Sequence, residues 1–310
     1  MDWQAEITAA AERIQPHIRR TPVIDLDLPG GIAVALKLEQ MQHTGSFKAR
    51  GAFNTLLSLP VPAAGVVAAS GGNHGAAVAY AARTLGHRAR IFVPELAGPA
   101  KIALIRQQGA ELEVVPGVYA DAAALALAYA LATGAMQIHP YDAPATVAGQ
   151  GTLMREWEEQ GLDADTVLIA VGGGGLIAGA LAWLAGRRKI IAVEPELAPT
   201  LHRALADGPE SVVQVSGIAA NALGSSKIGR IAYDLARSQA VTSLLVSDAA
   251  ILESQTLLWR SLRQWVEPAG AAALAALLSG AYRPEPGEKV AVLVCGANPA
   301  PDPTGETFPA

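Results

Sequence analysis

Short apolar runs alternate with Ala-rich stretches of helical period along most of this 310-residue chain. The runs have the length of strands that are buried on both faces, and the stretches between them have the length of helices. This alternation is typical of α/β proteins, in which mainly parallel sheets are flanked by helices. At roughly 150 residues per domain, the chain is long enough for about two domains.

The pattern divides the chain into two sets of elements. One is a compact βαβαβ-like unit at residues 65–139; the other runs from residue 167 to the end, and the N-terminal segment could join it. The predicted strands are residues 32–37, 65–69, 89–93, 111–115, 137–138, 166–171, 189–193 and 289–294. The predicted helices are residues 46–58, 75–85, 99–108, 120–132, 145–160, 176–185, 248–265 and 270–278.

Composition excludes several classes of protein. The net charge is −5, and no basic cluster is longer than a pair such as Arg187-Arg188, so nucleic acid is not expected as a partner. The single cysteine allows no internal disulfide, which favours a reducing compartment. The N-terminus lacks the apolar core of a signal peptide, and the most apolar windows are too short to span a bilayer. We therefore expect a soluble cytoplasmic protein without a membrane partner.

Lys48 is the first candidate for chemistry. It follows Gly45, Ser46 and the aromatic Phe47, and lies in the first turn of a predicted helix. The helix dipole disfavours an ammonium there, which suits a lysine that must lose its proton to attack an aldehyde. The alternative is an ordinary surface lysine.

Two Gly-rich turns lie between predicted strands and helices. Backbone N–H groups at such turns form anion sites, and Asn73 adds a side-chain amide to the first turn. The alternative for this turn is a plain helix cap. Ordering the four glycines of the second turn, Gly172 to Gly175, costs much backbone entropy. A phosphate bound by their backbone N–H groups is the best explanation for glycines at these positions.

A dinucleotide-binding oxidoreductase is the competing interpretation of the second turn. Glu194 ends the next strand at about the spacing that a dinucleotide fold requires. However, the third glycine of that fingerprint would fall on Ile177, and Lys48 and Asn73 would have no role. Cys295 ends an apolar strand, at the sheet edge where ligands bind, although simple packing is an alternative.

The chain resembles the serine/threonine dehydratases, which are fold type II pyridoxal-phosphate (PLP) enzymes related to tryptophan synthase β. The resemblance runs from Thr21 to Asn298, with the motifs in the family's order. These are KLEQMQHTGSFKARGA, SGGNHG, HPYDAP, AGQGT, VGGGGL, VEP, EPAGAA and CGAN. It implies a cofactor cleft between a large domain, 1–58 with 143–310, and a small mobile domain, 59–142. It also implies a homodimer.

The resemblance assigns roles to individual residues. Lys48 is implied to be the Schiff-base lysine, Phe47 to pack on the cofactor ring, Asn73 to bond the ring's 3′ oxygen, and Cys295 to face the pyridine nitrogen. The cofactor phosphate is implied to lie on Gly172, Gly173, Gly174 and Gly175. The substrate carboxylate is implied to lie on Ser70, Gly71, Gly72, Asn73 and His74.

The implied activity is conversion of L-serine or L-threonine to a 2-oxo acid and ammonia by β-elimination of water. Another β-hydroxy amino acid is the alternative within the class. Relatives that racemise serine carry a serine at the position of Gly71, so we expect elimination to dominate. Ser216-Gly217 stands where the family usually has Asp-Gly, which is a local departure.

A cation site is also implied by the resemblance. The segment VEPELAPT would supply the Glu194 carboxylate, the Ala198 carbonyl and the Thr200 hydroxyl as ligands. Because only one of these ligands is charged, we expect K⁺ rather than Mg²⁺. The alternative is that Glu194 merely ends a strand and Thr200 caps the next helix.

Overall fold

Ten strands form the framework of the protein within residues 1–298, the part of the chain that the structure, a computed structural model, describes. They are β1 (Val23–Leu28), β2 (Ile32–Leu38), β3 (Val66–Ala69), β4 (Ala89–Pro94), β5 (Glu111–Val115), β6 (Met136–Gln137), β7 (Thr166–Ala170), β8 (Lys189–Pro195), β9 (Thr242–Val246) and β10 (Val290–Val294).

Twelve α-helices pack around these strands in the same range. They are α1 (Trp3–Ile14), α2 (Lys48–Ser58), α3 (Asn73–Thr84), α4 (Pro99–Gln107), α5 (Tyr119–Thr133), α6 (Pro144–Glu159), α7 (Gly175–Leu184), α8 (Thr200–Asp207), α9 (Ala220–Leu223), α10 (Arg230–Ser238), α11 (Asp248–Leu262) and α12 (Pro268–Leu278). No helix of residues 1–298 has both the length and the apolarity needed to cross a membrane.

The strands form two sheets. A six-stranded sheet has the order β1-β2-β10-β7-β8-β9 and is parallel except for the edge strand β1. A four-stranded sheet has the order β5-β4-β3-β6 and is parallel throughout. The prediction of an α/β fold with two mainly parallel sheets is confirmed, and the N-terminal segment does join the second set of elements.

The sequence pattern missed mainly edge elements. Strands β1 and β9 lie at the two edges of the larger sheet and are half-exposed, so they lack the continuous apolar run that marks the central strands. Helices α1, α8, α9 and α10 were also not predicted. The predicted helix 248–265 was too long: α11 ends at Leu262 because Arg263 is left-handed, with φ 57°.

Glycines let three helices approach closely and thereby position the site. A Cβ on Gly149 of α6 would lie 2.6 Å from the Cα of Gly51 in α2. A Cβ on Gly179 of α7 would lie 2.5 Å from the backbone N of Gly151, also in α6. Because such contacts leave no room for a methyl group, α2 and α7 are held against the same helix. Lys48 starts α2, and the turn of four glycines leads into α7.

The predicted division into domains remains a prediction. All four strands of the smaller sheet come from residues 66–137, inside the predicted small domain. Helix α2 was assigned to the large domain, yet Ala49, Ala52, Phe53 and Leu56 pack in the apolar cluster of the smaller sheet. The lysine helix therefore contacts the elements of both predicted domains.

Candidate active site

A cavity of about 510 Å³ lies where the loops at the carboxyl ends of both sheets meet. Its size is that of a typical small-molecule site. All the residues predicted to bind cofactor or substrate line it: Phe47, Lys48, Ser70, Gly71, Gly72, Asn73, His74, Gly172, Gly173, Gly174, Gly175 and Cys295. Because parallel strands end at one edge, the loops after β7 and β10, which are neighbouring strands, converge there.

Lys48 is the first residue of α2, and the loop after β6 holds its ammonium. Its Nζ donates a hydrogen bond of 2.7 Å to the Pro140 carbonyl. Burial lowers the pKa of this amine to about 8. A buried lysine with a lowered pKa has a usable neutral fraction near physiological pH, so Lys48 can act as a nucleophile and as a base.

The turn of four glycines presents its backbone N–H groups to the cavity. Within residues 1–298, the N–H groups of Gly172, Gly173, Gly174 and Gly175 have no hydrogen-bond acceptor. Gly174 has φ +96°, a conformation that favours glycine, and it precedes the first turn of α7. Free N–H groups at the start of a helix attract an anion such as a phosphate.

A second candidate anion site lines the same cavity, at the start of α3. Asn73 and His74 have backbone N–H groups without an acceptor among the described residues, whereas the N–H of Gly72 bonds the Ser70 hydroxyl at 3.2 Å. This second row of donors can hold a carboxylate. The cavity therefore offers two separate anion sites and an amine.

The model of a protein family described as "Pyridoxal-phosphate dependent enzyme" matches residues 14–296. The chain belongs to the pyridoxal-phosphate-dependent enzyme family. The oxidoreductase alternative is therefore wrong: the glycine turn of this PLP-dependent enzyme is not a dinucleotide fingerprint.

Relatives of this PLP-dependent enzyme are named dehydratases and ammonia-lyases. It is 38% identical to phenylserine dehydratase of Ralstonia pickettii, over 94% of this chain and 92% of that protein. It is 34% identical to β-hydroxyaspartate dehydratase of Paracoccus denitrificans, over 94% and 95% of the two chains. The crystal structure of threonine deaminase from T.th. is similar with a TM-score of 0.87 and 35% identity, over 99% of both chains. These relatives place the chain in a family of ammonia-lyases and dehydratases, and the structural neighbours have the fold type II architecture.

The cavity fits pyridoxal phosphate at each of its functional groups. The free N–H groups of the glycine turn can take the phosphate, and the Lys48 amine can take the aldehyde. Cys295 is buried at the end of β10, where its carbonyl accepts the N–H of Phe47 at 3.2 Å, so this strand end lies beside the lysine. Burial raises the pKa of the Cys295 thiol, which keeps it neutral.

Glu267 is a site residue to which the sequence analysis gave no role. It precedes α12, lines the cavity, and accepts a 2.6 Å hydrogen bond from the Asn73 side-chain amide. Burial raises its pKa to about 7. The EPAGAA motif was the signal that could have identified it. The Asn73 side-chain oxygen accepts a hydrogen bond from the Asn298 side-chain amide. Of the two hydrogens on the Asn73 Nδ2, one is donated to Glu267, so the other remains for the cofactor ring.

His74 lies at the predicted carboxylate loop but carries no charge there. Its Nε2 is 3.0 Å from the Ile138 carbonyl. Burial, with the nearby charge of Lys48, lowers its pKa to about 3. The imidazole is therefore neutral at physiological pH and is held by the backbone, so its contribution to anion binding is its main-chain N–H.

The predicted cation ligands lie in one short segment, and the first of them, Glu194, also stabilises a helix. Both carboxylate oxygens of Glu194 accept backbone N–H groups of α8, from Leu201 and His202 at 2.7 Å each. The Thr200 hydroxyl donates to the Ser225 carbonyl at 2.6 Å. The alternative named Thr200 as the helix cap, and this is wrong because Glu194 has that function. The cation itself remains a prediction.

Proposed function

We propose that this enzyme eliminates water from an L-β-hydroxy amino acid, of which L-serine and L-threonine are the simplest, and releases a 2-oxo acid and ammonia. One observation carries the proposal. The Lys48 amine lies in the same cavity as two separate rows of unbonded backbone N–H groups. One row suits a cofactor phosphate and the other a substrate carboxylate.

Lys48 moves the proton in this proposal. When bound, pyridoxal phosphate supplies an electron sink that stabilises the α-carbanion of an amino acid. The α-proton passes to the neutral Nζ of Lys48, whose lowered pKa makes it a base near neutral pH. The loop that starts α3 holds the carboxylate, which fixes the α-carbon in front of that amine.

The elimination balances without a further reactant. The Cα–H bond and the Cβ–O bond break, a C=C bond forms, and the hydroxyl leaves with one proton as water. The released enamine adds water, loses ammonia and becomes the 2-oxo acid. Cys295 contributes a neutral thiol, which cannot hold a pyridine nitrogen protonated as a carboxylate would. A short-lived carbanion favours prompt elimination.

The test is reconstitution of the purified chain with pyridoxal phosphate. We expect the bound cofactor to colour the protein yellow, borohydride to fix it covalently to Lys48, and L-serine or L-threonine to release a 2-oxo acid with one equivalent of ammonia. A protein that takes up no cofactor, or that binds it but releases no 2-oxo acid from any β-hydroxy amino acid, would contradict the proposal.

Racemisation is expected to be slight because Gly71 offers no second base. A Cβ at Gly71 would lie 2.5 Å from the Ala97 Cβ, so the position has no room for a side chain without local movement. A positioned proton-transfer group contributes roughly 10²–10⁴-fold, so we expect D-serine to form about 10²-fold more slowly than pyruvate. Chiral chromatography of residual serine after partial turnover measures this. Comparable rates of the two products would show that another group protonates the opposite face.

Dicarboxylic substrates are expected to be poor. Among the described residues that line the cavity, Lys48 is the only cation, and no arginine is present. Hydrogen bonds to charged groups contribute roughly 1.5–3 kcal/mol, so we expect kcat/KM for 3-hydroxyaspartate to be about tenfold or more below that for serine. Leu96→Arg, which adds a cation to the cavity wall, should narrow the gap. A higher kcat/KM for 3-hydroxyaspartate in the unmodified enzyme would overturn this prediction.

Potassium is the cation that we propose for Glu194, Ala198 and Thr200. After dialysis against a buffer free of metal ions, K⁺ should restore activity better than Na⁺ or Mg²⁺, because one carboxylate balances a monovalent charge. Thr200→Asp adds a second carboxylate and should shift the preference toward Mg²⁺. Full activity without any added cation would count against the site.

We propose a cytoplasmic homodimer in which the small domain closes over the substrate. The contacts that join the predicted domains include Asn73 with Glu267, and Lys101, whose Nζ donates to the Asn221 carbonyl at 3.2 Å. Sedimentation analysis of the holoenzyme tests the dimer.

A further inference from the structure

Three large apolar side chains line one side of the active-site cavity and are exposed to it. Leu96 is 73% exposed, Val118 53% and Tyr119 47%. Leu96 follows β4, and the other two follow β5 at the start of α5. Because β4 and β5 are neighbouring parallel strands, both loops lie at the same sheet edge. We call Leu96, Val118 and Tyr119 the apolar wall.

The apolar wall adjoins the loop proposed to hold the substrate carboxylate. A Cβ on Gly71 would meet the Ala97 Cβ at 2.5 Å and the Pro94 ring at 3.4 Å. Pro94 and Ala97 also line the cavity and flank Leu96 in the sequence. A substrate whose carboxylate rests on that loop therefore lies next to the segment that carries Leu96.

The chemistry of this side of the cavity is apolar with one neutral polar group. Burial of its hydroxyl raises the pKa of Tyr119 to about 12, so the phenol stays protonated. This hydroxyl has no hydrogen-bond partner among residues 1–298. The two charged residues of the described lining are Lys48, which the cofactor requires, and Glu267, which is bonded to Asn73. Lys101 lies just outside this lining: its Nζ would be 3.7 Å from a Cβ on Gly72, and it is already bonded to the Asn221 carbonyl.

We infer that the apolar wall is the pocket for the substrate's β-substituent, and that it selects β-hydroxy amino acids with a bulky apolar side chain, aryl or branched alkyl, over serine. This inference rests on the proposed function. Serine places only hydrogen at this wall and leaves it in contact with water. A phenyl or isopropyl group on the β-carbon removes the exposed apolar surface from water.

The effect on specificity is expected to be large. One methylene group in a hydrophobic pocket changes kcat/KM by roughly 10–200-fold. We therefore expect kcat/KM for threo-3-phenylserine and for 3-hydroxyleucine to exceed that for serine by about tenfold or more. Testing an aryl and an alkyl substrate together separates recognition of apolar bulk from recognition of an aromatic ring.

The decisive experiment compares the parent holoenzyme with Leu96→Ser and Tyr119→Ser. Each variant should lower kcat/KM for both bulky substrates by about tenfold, with the value for serine changed less than about twofold. Leu131→Ser is the matched control. Leu131 lies on α5, is 79% exposed and does not line the cavity, so its replacement should leave every ratio unchanged. The visible absorbance of each variant with bound pyridoxal phosphate shows that its site is intact.

The outcomes separate this inference from the proposed function. If serine is turned over but the bulky substrates are not preferred, the inference is overturned and the proposed function stands. If the variants lose serine and phenylserine turnover equally, the wall does not select the side chain and the inference is again overturned. If no β-hydroxy amino acid reacts while the cofactor binds, the proposed function fails and the inference fails with it.

Discussion

Lys48→Ala is expected to reduce turnover of β-hydroxy amino acids by about 10³-fold or more, since a positioned proton-transfer group alone contributes roughly 10²–10⁴-fold. The reason is that Nζ of Lys48 is the only amine in the described lining of the cavity. Release of the 2-oxo acid, followed with a coupled assay at saturating cofactor, measures the effect.

The fold should survive this substitution. Alanine has the highest helix propensity, and Lys48 makes one hydrogen bond, to the Pro140 carbonyl. Thermal unfolding should therefore stay close to that of the parent protein. Lys289→Ala is the control for removal of a lysine: Lys289 pairs with Asp163 at the surface, outside the cavity. Turnover near the parent level in Lys48→Ala would refute the assignment of this residue.

Arg50→Leu is expected to lower the free energy of unfolding by about 3–5 kcal/mol, the usual consequence of removing one partner from a buried ion pair. The guanidinium is fully buried and donates to both oxygens of Glu39, at 2.7 and 2.8 Å. It also donates to Glu156 at 2.9 Å, and Glu156 in turn accepts from the buried ammonium of Lys37 at 2.6 Å. Without Arg50, the buried carboxylate of Glu39 and the partly buried carboxylate of Glu156 are left with Lys37 as the one remaining cation of the network.

Urea unfolding monitored by circular dichroism measures this loss. Arg203→Leu is the matched control, because Arg203 forms an exposed pair with Asp207 one helical turn away, and such pairs contribute little. Equal stability of the two variants would mean that the buried network is not stabilising. Arg50 lies two residues after Lys48 and donates its N–H to the Phe47 carbonyl, so the network also anchors the first turn of the lysine helix.

The same network predicts a dependence of stability on pH. Burial alone would raise the pKa of Glu156, but the charges of Arg50 and Lys37 outweigh burial and lower it. A carboxyl group with a lowered pKa in the folded state stabilises the protein above its ordinary pKa. We therefore expect this stabilisation to be lost as the pH falls through the acidic range, and the loss should be smaller in Arg50→Leu.

The sequence alone was sufficient for the α/β class and the central strands, and the residues that it predicts for the cofactor site all line one cavity. Buried parallel strands are continuous apolar runs, and glycines at a strand-to-helix turn have few explanations other than an anion or a close contact. The residues around Lys48, Asn73, Gly172 and Cys295 each belong to a short local motif. Local motifs can be recognised without knowledge of the fold because the chemistry of each depends on neighbours in the sequence.

Only the tertiary structure decided which distant residues meet. Glu267 contacts Asn73 across 194 positions of the chain, and no periodicity indicates such a pair. In the sequence, nothing distinguishes Leu96 and Tyr119 from other apolar residues. The pairing of β4 with β5 places the loops that carry them at one edge of the cavity. Likewise, Glu194 caps α8 through backbone atoms whose position depends on the chain reversal after β8. The sequence determines which side chains are available for chemistry. Strand order and helix packing determine which of them lie together in one desolvated cavity.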